Sequence, residues 1–219
     1  MTPDVLALCG LAATIGFTHT ILGPDHYLPF IAMSRAGGWS TRKTIIVTVL
    51  SGMAHVLSSV LIGLVGIAFG VSVLKLENIE SSRGDLAGWM LIGFGLAYTI
   101  WGIRHAVKQR TILQAHPPTT PNPSLTAWIL FTILLFGPCE PLIPLLMYPA
   151  ALDSWLQVAV VALIFGVTTV ATMVGIVYMA CRRAVRSPCT DCHPWLGRFA
   201  HAAGGLVVLS CGIAVRIGL

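Results

Sequence analysis

Six residues of this 219-residue chain could do chemistry where a membrane would ordinarily forbid it. His19, Asp25, His26 and His55 lie within or beside apolar runs of the first half, and Cys139 and Glu140 do so in the second. Polar and ionisable groups in such runs are costly and mark ion or proton sites by default. Imidazole suits nickel, cobalt, zinc, copper and iron, carboxylate is a harder donor and thiolate a softer one. This mixed set favours a transition-metal ion over sodium or magnesium. His26 and His55 are the leading ligands, with Asp25 and His19 next. Glu140 would balance the ion's charge or carry a coupled proton, and Cys139 would serve as a transient soft ligand. A second reading makes Asp25 and Glu140 helix caps that satisfy open backbone amides.

The elements that hold these residues are interrupted. Gly23-Pro24-Asp25-His26 opens one break, closed by Pro29, and Gly137-Pro138-Cys139-Glu140-Pro141 opens another, closed by Pro144. The offset between them is 114 residues. Proline removes its own donor and frees a carbonyl of the preceding turn. Unwound backbone at membrane depth is tolerated only where protein or a polar cavity surrounds it. Paired Gly/Pro breaks in two halves of a chain point to a transporter site.

Composition bounds the class. The chain is 56% hydrophobic and 10% charged, with a mean hydropathy of +0.85, against about 25% charged for a soluble domain. It reads as a polytopic membrane protein in contact with lipid. The net charge of +5 does not imply nucleic acid, because the basic residues sit in short connections and not on an aromatic-basic face. Met1-Thr2-Pro3-Asp4 is no basic leader, so a cleavable signal is not expected. No phosphate-binding Gly-x-x-x-x-Gly-Lys-Ser/Thr stretch is present, and no enzymatic activity is expected.

Six apolar runs are long enough to cross a bilayer at about 20 residues each, over about 5–34, 44–73, 86–103, 125–150, 156–181 and 199–217. Ten of the thirteen Lys and Arg residues fall in connections 1–2, 3–4 and 5–6. The positive-inside rule puts those three in the cytoplasm and both termini outside. The expected fold class is therefore all-α, with six transmembrane helices as two inverted three-helix repeats, the first helix of each broken at Gly-Pro. Residues 1–114 form the first repeat, 115–123 a Pro-rich connector and 124–219 the second. His55 falls 29 residues after His26, and Thr169 falls 29 residues after Glu140. Gly63, Gly66 and Gly70 suit close helix packing.

Connection 5–6 carries Cys189-Thr190-Asp191-Cys192-His193, which matches a c-type haem attachment pattern. Its cytoplasmic placement argues against haem, and none is expected. The two cysteines read instead as a redox dithiol, or as metal ligands with His193 and either His201 or His105. A cytoplasmic metallochaperone or thiol partner would dock there. Cys9, Cys181 and Cys211 read as small core residues.

His19-Thr20-Ile21-Leu22-Gly23-Pro24-Asp25-His26 resembles the first-helix signature of nickel/cobalt permeases and of the related urease-accessory membrane proteins. In the permeases four residues separate the first histidine from the Asp-His pair; here five do, with Gly23-Pro24 among them, which is closer to the urease-accessory branch. His55 matches a further histidine of that signature. Phe136-Gly137-Pro138-Cys139-Glu140-Pro141 is similar to the Pro-Cys break of DsbD- and CcdA-type thiol carriers in the same LysE/DsbD superfamily. The position matching their first cysteine is Asp25, and one cysteine cannot form the intramolecular disulfide. The resemblance implies transport of a nickel- or cobalt-like ion across the inner membrane of a prokaryote, with a homo-oligomer compatible. A transmembrane thiol-disulfide electron carrier and an exporter of small sulfur or amino-acid anions are the alternatives it carries.

Overall fold

The computed structural model describes residues 3–111, 123–186 and 199–218. Among them the fold is all-α, with eight α-helices and one 3-10 turn. In chain order these are α1 (Pro3–Leu22), the 3-10 turn (Pro24–His26), α2 (Leu28–Ala36), α3 (Thr41–Ala68) and α4 (Val73–Thr111). They continue with α5 (Pro123–Phe136), α6 (Leu142–Ala151), α7 (Trp155–Arg186) and α8 (Ala200–Arg216).

The expectation of six membrane-spanning helices in two inverted triplets is overturned. Four helices are long and apolar enough to cross: Val5–Leu22, Thr41–Ala68, Val73–Lys108 and Trp155–Arg183. The expected first span is two helices, because Gly23-Pro24 ends α1 and the chain restarts at α2 with nine residues. The expected fourth is likewise α5 with 14 residues and α6 with 10. α8 has 17 residues, about 25 Å of helix against a hydrocarbon layer of about 30 Å. Summed hydropathy counts a broken run as one length, whereas a backbone break divides it.

The third run also differs. It extends N-terminally through Lys75, Glu77, Glu80, Arg83 and Asp85, which lie before the apolar run at 86–103. Buried positions on α4 fall at Leu76, Glu80, Gly84, Ala87, Leu91 and Gly95, a single 3.6-residue phase that ignores the charges. Glu80 stays in that phase because Arg83, three residues on, pairs with it.

Two interior clusters organise the bundle. One gathers Phe30, Met33, Leu91, Tyr98, Leu130, Met173, Val177 and Val208 from five helices. The other gathers Ala12, Cys139, Leu142, Leu146, Val161 and Phe165. α4 and α8 approach at backbone distance: a Cβ at Gly95 would stand 2.4 Å from Leu209 N, and one at Gly102 2.5 Å from Ala202 N. Small residues allow such approach in membranes, where dispersion replaces the hydrophobic drive. The outer faces of α3 and α7 present Leu57, Leu61, Val65, Leu156, Leu163 and Val167, a surface that water would reject and lipid covers.

Candidate metal centre

The breaks bring three imidazoles together. His19 is in the last turn of α1, His26 closes the 3-10 turn, and His55 lies midway along α3. One ligand nitrogen from each lies within 4.8 Å of the others. His26 is 3% exposed and His55 is fully buried. The triangle forms where the 3-10 turn after Gly23 sets the His26 ring edge-on to both His19 and His55.

Hydrogen bonds set the ring orientations. His26 Nδ1 donates towards the Gly23 carbonyl at 3.0 Å and lies 3.2 Å from Asp25 Oδ1. His55 Nδ1 donates to the Leu134 carbonyl at 3.2 Å. A carbonyl only accepts, so both rings carry a proton on Nδ1. Both Nε2 atoms then turn inward, 3.4 Å apart. At that distance either one ring is protonated and its Nε2–H donates to the other, or a metal cation lies between two lone pairs. A tetrahedral ion at about 2.0–2.1 Å from each nitrogen would separate them by about 3.3 Å. Imidazole oriented through its far nitrogen by a carboxylate or carbonyl is the usual outer support of a metal ligand.

The second break supplies the support. Because α5 ends at Phe136, the Leu134 carbonyl keeps only a tight-turn backbone bond from Gly137 N–H at 3.0 Å, and the Leu135 carbonyl is left for side chains. Leu134 accepts from His55, and Leu135 accepts from Arg83 Nη2 at 2.9 Å and Ser58 Oγ at 3.0 Å. Gly137 is needed there, since a Cβ would stand 3.1 Å from His55 Nδ1. Cys139 N–H donates to Glu80 Oε2 at 2.9 Å, and Ser59 Oγ donates to the same oxygen at 3.0 Å. Glu80 is fully buried and completes its shell with Arg83.

The remaining sequence candidates separate in role. Asp25 sits behind His26. Cys139 is fully buried, with Sγ 3.9 Å from His19 Nε2, and it is unpaired, as are Cys9, Cys181 and Cys211. Glu140 is exposed and lines, with His19, Asp25, His26, Pro138 and Pro141, a cavity of about 440 Å³. That cavity is an approach to the imidazoles from outside the bundle. Neither Asp25 nor Glu140 caps a helix: α2 and α6 have no side-chain cap at Tyr27 or Pro141. Pro29 is buried in the first turn of α2, and Pro144 is exposed in the first turn of α6. Cys189, Cys192 and His193 lie outside the described residues. His201 Nδ1 meets Tyr98 Oη at 2.9 Å, and Trp101 stacks on His105.

Sequence reasoning missed Glu80 and Arg83. Their signal was present as an acid and a base three residues apart, in phase with Leu76, Ala87 and Leu91.

A buried three-histidine cluster able to chelate a metal ion thus sits in a polytopic helical membrane protein. No protein-family model, curated protein or solved structure matches the chain.

Proposed function

We propose that this protein carries a divalent transition-metal ion across the membrane, with His19, His26 and His55 as its ligands during passage. The observation that carries the proposal is the pair of buried Nε2 atoms at 3.4 Å, with His26 and His19 bordering a cavity. A resident structural ion would be enclosed; a transported one needs an approach, and Glu140 at its rim attracts cations. Nickel and cobalt are the preferred cargo, on the resemblance of the His19 to His26 segment to nickel/cobalt permeases; imidazole donors also suit zinc and copper. Cys139 adds a soft donor beside His19.

The test is metal analysis of purified protein together with uptake of nickel or cobalt into liposomes, for wild type and for His26→Ala. Wild type is expected to bind close to one ion per chain and to accumulate it, and His26→Ala to do neither. Wild-type protein that neither binds nor accumulates these ions refutes the proposal. Binding without uptake reduces it to a metal-holding role.

A further inference from the structure

The cavity borders His19 and His26, and α3 carries a second polar feature leading away from His55. Thr44, Thr48, Ser51 and His55 are all fully buried, and their spacing places them on one helical face. From His55 to Thr44 the stripe runs 11 residues, or about 17 Å, to the N-terminal end of α3. None of these hydroxyl residues borders the 440 Å³ cavity.

Buried hydroxyls in membrane helices ordinarily bond to a carbonyl one turn back. Thr44 bonds to Ser40 O at 3.1 Å and Thr48 to Thr44 O at 2.9 Å. Ser51 Oγ makes no such bond, and neither does Thr169 Oγ1 on the facing helix α7. A buried hydroxyl without a partner forfeits the bonds it made to water. Two of them flank His55 and the α1–α7 contact: Ser51 is one turn before His55, and Thr169 Oγ1 would stand 3.2 Å from a Cβ at Gly16, one turn before His19. Such oxygens suit a cation that has left its imidazoles and lacks its water shell.

The stripe is shut. Met173 of α7 is fully buried, and its sulfur would stand 3.0 Å from a Cβ at Gly52. It therefore fills the space that Gly52 leaves beside Ser51. A thioether on three rotatable bonds can leave such a space without backbone movement.

We propose that the Thr44–Thr48–Ser51 face of α3, with Thr169, is the second leg of the ion's route, and that Met173 seated on Gly52 is its gate. This rests on the transporter reading and names the residues that act after the imidazoles. Thr48→Val with Ser51→Ala removes two hydroxyls at nearly constant volume. In liposomes the double variant is expected to bind nickel at the wild-type stoichiometry and affinity while its uptake rate falls at least tenfold. Unchanged uptake with unchanged binding overturns the route. A wild-type protein that takes up no ion overturns the transporter reading itself, and this inference with it. The gate has a separate readout. In full-length protein with its native cysteines replaced by serine, Thr48→Cys is expected to resist a small charged thiol reagent, and to react at least fivefold faster once Met173→Ala is added. Equal reactivity in both backgrounds overturns the gate.

Discussion

Asp25→Asn separates an orienting carboxylate from a ligand. Asp25 Oδ1 lies 3.2 Å from His26 Nδ1, longer than the 2.7–2.9 Å of a strong charge-assisted bond, and the Gly23 carbonyl meets the same nitrogen at 3.0 Å. The carbonyl alone preserves the tautomer that turns Nε2 inward. What the substitution removes is one negative charge behind the ring. Loss of a supporting group of this kind costs about 10–100-fold in metal affinity. With a second acceptor in place, the lower end is expected: about tenfold, or about 1.4 kcal/mol. Nickel titration of detergent-purified protein against a chromophoric chelator reads this directly, with His26→Ala as the reference for complete loss. An Asp25→Asn protein with wild-type affinity would show that the carboxylate does not support His26. One as defective as His26→Ala would show that Asp25 ligates the ion itself.

Other consequences are open to measurement. If Cys139 enters the coordination sphere, cobalt-loaded protein shows a sulfur-to-metal charge-transfer band in the near ultraviolet, absent in Cys139→Ser; a spectrum indifferent to the substitution removes Cys139 from the ligand set. Glu80→Gln leaves Arg83 without its anion in the interior, and breaking such pairs costs about 3 kcal/mol or more. Thermal unfolding in detergent should register this, and the Glu80→Leu, Arg83→Met double variant should be less harmed than Glu80→Gln; equal or greater loss in the double variant contradicts that account. Gly95→Ala puts a methyl 2.4 Å from Leu209 N and should cost about 1–3 kcal/mol by overpacking. Gly10→Ala meets nothing within 4 Å and should be neutral or slightly stabilising, so similar effects at the two sites would argue against a tight α4–α8 contact.

Much of the centre was legible in the sequence because its residues are chemically out of place. An imidazole in an apolar run has few reasons to be there, and His19, His26 and His55 could be singled out one by one. That they form one triangle was less accessible, since it depends on the 3-10 turn Pro24–His26 that places His26 between the other two rings. The breaks were visible as Gly-Pro pairs, but their effect on span length was not: hydropathy sums across residues 5–34, whereas the backbone stops at Leu22. Glu80 and Arg83 were misplaced for the opposite reason. Two charges read as a boundary unless their mutual neutralisation is considered, and only the phase through Leu76, Ala87 and Leu91 reveals that the helix continues beneath them. The alternative reading of Asp25 and Glu140 as caps fails because the cap positions of α2 and α6 are Tyr27 and Pro141, and neither helix has a side-chain cap bond.

The two interruptions are fastened differently. The one at Gly137 is riveted from a neighbouring helix, through Glu80 to Cys139 N–H and Arg83 to the Leu135 carbonyl. The one at Gly23 reaches distant helices, among the described residues, through the meeting of His26 with His55 and the longer approach of Cys139 Sγ to His19 Nε2 at 3.9 Å. Among the described residues, its polar clasps to distant helices therefore run through the imidazoles that would grip the cargo. Loading would tighten that joint and release would slacken it, so the first interruption is a flexure whose stiffness is set by occupancy, while the second is its fixed mount.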